Sequence, residues 1–320
     1  MKKVIWIFVG IVFVAAVILA AAIGLSGPKA PAGVASLAAP FRTMDFKTLP
    51  PASFYTARDG VKLAFRAYPA AEAKQAVVLI HGSTASSTSM HAMAEHLRQN
   101  NMDVYALDIR GHGDSSRRGD IDYVGQLEDD LEDFMTQFFS GRKDVTLVGF
   151  SAGGGFVLRF AAGDRQGLFG RYVALAPFLR YDAPTTRPGN NQHAKASVPR
   201  IAAISFLGAA GQKYFGHLPV VAFGVSPDLA KYLTPTYSYR LWTNFSLHQN
   251  YKADLRAIKQ HTAFVVGEND ELFYPQKYLT VLADVQPHAE IRIVPEVGHT
   301  TLTTDPAGME AIADVLQDRP

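Results

Sequence analysis

Three residues far apart in the chain have the chemistry to cleave an acyl bond if folding brings them together: Ser151, Asp270 and His299. A serine hydroxyl is a weak nucleophile until a base takes its proton, and an imidazole base works best when a carboxylate orients it. Ser151 lies in Gly149-Phe150-Ser151-Ala152-Gly153, after the apolar run Val145–Val148 and before the helix-compatible stretch Ala152–Ala162. Strand, sharp turn and helix in that order hold a serine side chain out at the edge of a sheet. Glycine is needed on both sides because a Cβ there would strike the neighbouring strand or helix. Asp270 follows the strand-like run Thr262–Gly267, and His299 follows Glu290–Val294. Each therefore sits just past the C-terminal end of a strand, where open α/β sheets place their chemistry. Glu268 is the other candidate acid, although its position next to the strand suits a turn.

The remaining histidines are weaker candidates. The chain has ten, and His91, His96, His193, His217, His248, His261 and His288 follow no catalytic pattern. None forms a His-x-x-x-His pair with an acidic neighbour, so neither a metal nor a cofactor is expected. A tetrahedral intermediate would also need donors for its oxyanion. One is the N–H of Ala152, the residue after the nucleophile. The other comes from the loop that follows strand Ala76–Ile80, His81-Gly82-Ser83-Thr84, and is assigned to the N–H of Ser83.

Four blocks together carry a family resemblance: His81-Gly82, Asp108-Ile109-Arg110-Gly111-His112-Gly113-Asp114-Ser115, Gly149-Phe150-Ser151-Ala152-Gly153 and Gly298-His299. They resemble the α/β-hydrolase superfamily. The second block is similar to the branch that contains monoacylglycerol lipases and lysophospholipases. The resemblance runs from about Tyr55 to the C-terminus. It implies a serine hydrolase mechanism and makes His112 a structural loop residue. Two features depart from the usual pattern. Gly153-Gly154-Gly155 costs the helix start roughly 1 kcal/mol per extra glycine, which suggests tight packing beneath the turn. Ser83-Thr84-Ala85 stands where many relatives carry further glycine or an acidic residue.

The elements that must position these residues can be read in order. Arg58-Asp59-Gly60 between Phe54–Ala57 and Val61–Tyr68 signals a hairpin. Strand Ala76–Ile80, a helix within Ser89–Asn100, and strand Asp103–Leu107 follow. Leu127, Leu131, Phe134 and Phe138 recur at helical spacing within Asp120–Phe139, with Glu128, Asp129, Glu132 and Asp133 between them as a solvated face. Then come strand Val145–Phe150, the nucleophile turn and strand Tyr172–Ala176. Alternation stops for roughly eighty residues, too long for a bare loop in a compact domain. This stretch, about 178–257, is expected to be a mostly helical cap inserted after the sixth strand. Most of its aromatics, such as Phe223, Tyr237 and Phe245, are expected to form its own core. Strand Thr262–Gly267, helix Gln276–Asp284, strand Glu290–Val294 and a helix from about Pro306 complete the chain. The order predicts a mostly parallel, twisted sheet with helices on both faces.

The chain has 320 residues, 31 Lys and Arg against 29 Asp and Glu, and no cysteine. That suits one large α/β domain with an insertion, excludes disulfides, and argues against a nucleic-acid partner. Val4–Leu25 is almost wholly apolar and, at about 22 residues, long enough for a bilayer core. A retained single-span anchor is the favoured reading, and a cleaved signal peptide ending near Ala20-Ala21-Ala22 the alternative. Lys2 and Lys3 place the rest of the chain outside the cytoplasm by the positive-inside rule. Ser26–Pro40 reads as a Pro/Ala/Gly-rich linker within about 26–45, leaving 46–320 as the hydrolase domain. The leading expectation is a membrane-anchored hydrolase of lipid or other acyl esters. A peptidase or amidase with the same triad, or a non-catalytic binding protein of the same fold, are the alternatives. No oligomeric state is implied.

Overall fold

The computed structural model describes residues 2–32, 45–142, 144–189, 193–225 and 229–318. Most of the expected linker, residues 33–44, lies outside them. Eight strands form one sheet in the order β1-β2-β4-β3-β5-β6-β10-β11. These are β1 (Ser53–Thr56), β2 (Lys62–Tyr68), β3 (Gln75–Ile80), β4 (Met102–Leu107), β5 (Val145–Phe150), β6 (Arg171–Leu175), β10 (His261–Gly267) and β11 (Glu290–Val294). β1 and β2 pair antiparallel, as do β2 and β4, and all other neighbours run parallel. Every residue of β3, β5 and β6 is buried. That burial is why these strands read as unbroken apolar runs instead of alternating ones.

After β3 the chain steps outward to β4, then returns to β5 on the opposite side of β3. Strand order therefore reverses between β3 and β5. Their C-terminal ends mark the place where α/β sheets bind ligands. The loop His81–Thr84 and the Ser151 turn both leave the sheet there.

The helices, numbered along the chain, are α1 (Lys2–Gly24), α2 (His91–Gln99), α3 (Gln126–Phe139), α4 (Ala152–Ala162), α5 (Val198–Ala209), α6 (Tyr239–Asn244), α7 (Tyr251–Ala257), α8 (Pro275–Val285) and α9 (Pro306–Gln317). The amphipathic helix starts at Gln126, later than the expected Asp120. Gly125, at φ 107°, turns the chain into it through the left-handed region, which glycine enters at no steric cost. The acidic side of α3 is more enclosed than expected: Arg58 bridges Asp129, Glu132 and Asp133, and the Asp129 and Asp133 side chains are only 14% exposed. Leu127, Leu131 and Phe134 are buried, but Phe138, the last residue of the apolar stripe, is exposed.

The stretch between β6 and β10 is not mostly helical as expected: α5, α6 and α7 account for a minority of its described residues. It also holds a three-stranded antiparallel sheet of β7 (Ala194–Ala196), β8 (Pro219–Phe223) and β9 (Thr236–Ser238). The sheet was not legible because two of its strands are three residues long, too short to show periodicity. Phe223, Tyr237 and Phe245 are buried, whereas Tyr214 and Tyr232 are exposed.

Helix α1 has a mean hydropathy of 3.0 over its most apolar window and buries none of it. At about 1.5 Å per residue it is long enough to cross a bilayer. Its C-terminal end meets the insertion. Ser26 Oγ lies 3.2 Å from Ser197 Oγ, and Gly27 packs against the Arg200 guanidinium at the start of α5.

Candidate active site

The turn at Ser151 is forced by close packing. Ser151 has φ 56° and ψ −115°, a conformation that a residue with a Cβ adopts only when its surroundings impose it. A Cβ on Gly149 would lie 2.3 Å from the Gly153 carbonyl oxygen, and one on Gly153 would lie 2.3 Å from that of His81. Gly155 likewise abuts the Phe178 carbonyl. The glycine run that weakens the helix locally is thus what lets α4 seat against β3 and β5.

Folding brings the three distant residues into one chain of hydrogen bonds. His299 Nε2 lies 3.0 Å from Ser151 Oγ, and His299 Nδ1 lies 2.8 Å from Asp270 Oδ2. An ionised carboxylate can only accept, so the ring proton resides on Nδ1 and Nε2 is free to accept from the serine hydroxyl. Asp270 is held by the N–H groups of Leu272 and Phe273, both donating to Oδ1 at 2.8 Å. Phe150 and Phe273 flank the imidazole with ring centroids 4.9 and 5.1 Å away. Asp270 and His299 are almost wholly buried, and Ser151 retains 9% exposure. Glu268, the other candidate acid, is exposed and accepts the Glu296 N–H instead.

The loop after β3 lies beside the same serine. A Cβ on Gly82 would lie 3.4 Å from Ser151 Cβ. Neither the Ser83 nor the Ala152 N–H donates to another described residue. The Ala152 N–H belongs to the open first turn of α4.

His112 is buried and does not reach Ser151. Its ring packs at a tilt against that of His81, with centroids 4.9 Å apart. Burial lowers the pKa of both imidazoles, keeping them neutral. Around them the Asp108–Ser115 block is a hub. Asp108 accepts the N–H groups of Ser87 and Asp114, and Arg110 forms ion pairs with Asp59 and Asp130.

Sequence reasoning missed two contributors. Glu271 accepts the His299 backbone N–H at 2.8 Å. Tyr237, from the insertion, bonds the Thr84 N–H and the His112 ring. The adjacency of Glu271 to Asp270 was a usable signal for the first. Nothing in the sequence ties Tyr237 to Thr84.

Comparison with known proteins decides the family. The description of the serine aminopeptidase S33 family matches residues 71–306. The chain belongs to the S33 family of α/β-hydrolases. A soluble variant of monoglyceride lipase from Saccharomyces cerevisiae, crystallised with a substrate analogue, superposes with a TM-score of 0.66 at 18% identity. That match covers 86% of this chain and 97% of the other. Monoacylglycerol lipase from Paleococcus ferrophilus gives 0.60 at 21% identity, over 79% and 98% of the two chains. A thermophilic esterase from Thermogutta terrifontis gives 0.58 at 19%, over 83% and 98%. At such identities the S33 family member shares the fold with these enzymes. Among curated sequences, the uncharacterized protein YnbC of Escherichia coli K12 is 27% identical over 153 residues. The matched stretch spans 45% of this chain and 26% of that relative.

Proposed function

We propose that this S33 family member is a serine hydrolase of carboxylic esters, its substrate a lipid or other acyl ester. His299 takes the proton of Ser151 as the hydroxyl oxygen attacks the ester carbonyl. Asp270 holds the imidazole in the required tautomer and stabilises its positive charge. The N–H groups of Ser83 and Ala152 receive the oxyanion. The protonated His299 then gives its proton to the leaving alcohol, and water, deprotonated in turn by His299, releases the acyl group. The observation that carries this reading is the pair of hydrogen bonds, 3.0 and 2.8 Å, linking serine, histidine and aspartate.

The lipid-like substrate is supported by the N-terminal helix and by where it ends. We read Lys2–Gly24 as a single-span anchor, with the domain from about residue 46 outside the cytoplasm and residues 178–257 as its cap. The anchor's last turn touches α5, whose Val198 and Phe206 are exposed. Such a placement turns the cap toward the bilayer surface.

A second reading, cleavage of an amide or N-terminal peptide bond, is favoured by the family's description alone. Rates on matched ester and amide substrates separate the two. The decisive test of the shared mechanism is a fluorophosphonate probe. It should label the wild-type chain and leave Ser151→Ala unlabelled, whereas equal labelling of both would remove Ser151 from the mechanism.

A further inference from the structure

We propose that Tyr237 is a positioning residue for the oxyanion-binding loop, so that the insertion supplies part of the catalytic geometry. The inference rests on the serine hydrolase reading above.

Its first support is the way Thr84 is held. Thr84 follows Ser83 and has φ 64°, a left-handed conformation rare for a β-branched residue. Both of its backbone groups are paired with the insertion. Its N–H donates to Tyr237 Oη at 2.7 Å, and its carbonyl accepts the Thr234 N–H at 2.8 Å. The peptide plane that joins Ser83 to Thr84 is therefore fixed from outside the main domain. On the other side of Ser83, Gly82 lies beside the elbow, where an added Cβ would meet Phe150 and Ser151. The Ser83 amide is thus suspended between the elbow and the insertion.

The second support is the direction of the protons. His112 Nδ1 lies 3.4 Å from the Arg110 carbonyl oxygen, which can only accept. The ring proton is therefore on Nδ1, and Nε2 is an acceptor. Tyr237 Oη lies 2.6 Å from Nε2 and must donate to it. That leaves the lone pairs of Oη for the Thr84 N–H. The relay runs from the Thr84 N–H to Tyr237, to His112, to the Arg110 carbonyl, each link polarising the next. All its side chains are buried, and burial raises the Tyr237 phenol well above its ordinary pKa, so it stays protonated. Tyr237 also packs edge-on against Phe223, at 4.7 Å between centroids, and against His112, at 5.1 Å. The hydroxyl is fixed by its ring as well as by its bonds.

A group that merely stitches the insertion to the domain would affect folding and leave the chemistry of folded molecules alone. A positioning residue changes the transition state. The test uses the full chain in detergent, a short-chain p-nitrophenyl ester, and end-point fluorophosphonate titration to count competent sites. Per site, Tyr237→Phe should lower kcat by about 10–100-fold, the scale of a small misplacement of catalytic groups, with KM within about threefold of wild type. A trifluoromethyl ketone, which presents a tetrahedral oxyanion to the same donors, should weaken in proportion to kcat/KM. A per-site kcat within about twofold of wild type overturns the proposal.

Should Tyr237→Phe not fold, amide exchange in the wild-type chain decides. The Thr84 amide should exchange at least about 10³-fold slower than in an unstructured chain. Exchange near the unstructured rate would show that the bond is not kept. A wild type that neither labels nor turns over would instead overturn the serine hydrolase reading, and the role of Tyr237 with it.

Discussion

The rim of the main sheet and the insertion above it hold their residues in different ways. At the rim, Ser151 is fixed by its own neighbours in the chain: glycines at 149 and 153 with no room for a Cβ, a strand behind and a helix ahead. In the insertion, Tyr237 lies on a strand of three residues and is placed by contacts with Thr84, His112 and Phe223. The rim buries its working groups almost completely, while the insertion leaves Val198, Phe206, Tyr214 and Tyr232 exposed. A site can thus be built from one region whose geometry is local and steric and another whose geometry is wholly tertiary. Substitutions at the rim should disturb chemistry or folding severely. Those on the outer face of the insertion should disturb neither.

The largest effect expected at the rim is chemical. Ser151→Ala or His299→Ala should lower kcat for an ester by about 10⁴–10⁶ while the fold persists. Measuring turnover alongside circular dichroism checks this, and a modest loss would mean that the buried hydrogen-bonded chain is not the engine.

Next comes the ion pair below the loop. Arg110 and Asp130 have side chains only 3% and 7% exposed. Arg110→Met should cost about 3–5 kcal/mol, because it leaves a buried carboxylate without its partner. Urea titration reads it directly. Arg58, itself 41% exposed and paired with three carboxylates of α3, is the contrasting case. Its loss should cost less than about 1 kcal/mol.

Gly149→Ala should destabilise by about 1–3 kcal/mol through overpacking against the Gly153 carbonyl. An unchanged melting temperature would show that the elbow is not as tight as its contacts require.

The two buried imidazoles give a pH signature. His81 and His112 have folded pKa values lowered by burial, while the unfolded chain titrates near the ordinary value of about 6.5. Below that pH the unfolded state binds protons that the native state refuses, so stability falls as pH drops from about 7 toward 5. Denaturant midpoints across that range, with a shallower slope for His112→Gln, test the assignment. The smallest effect is expected on the insertion's outer face. Phe206→Ser and Tyr214→Ser should each change stability by no more than about 0.5 kcal/mol, and a larger loss would mark those side chains as part of the packed structure after all.

Much of this was legible before folding. The strands β3, β5 and β10 announce themselves as apolar runs because they are buried on both faces. The elbow shows as a spacing of glycines around one serine, and Asp270 and His299 show by their place after strands. Asp270 was preferred to Glu268 because Glu268 lies next to the strand end, and in the structure Glu268 accepts the Glu296 N–H instead. The start of α3 needed coordinates, because Gly125 could equally have been tolerated inside a helix until its left-handed φ was seen.

The sequence alone determined the sheet, the strained serine turn and the three candidate groups, because each depends on residues adjacent in the chain or on a periodicity that burial imposes. Only the tertiary structure decided that a small antiparallel sheet forms inside the insertion, that the N-terminal helix ends against it, and that Tyr237 grips the loop after β3. The last two contacts join residues more than a hundred positions apart. Such contacts leave no local pattern, because a tyrosine on a three-residue strand reads the same whether it lines a surface or holds an active-site loop.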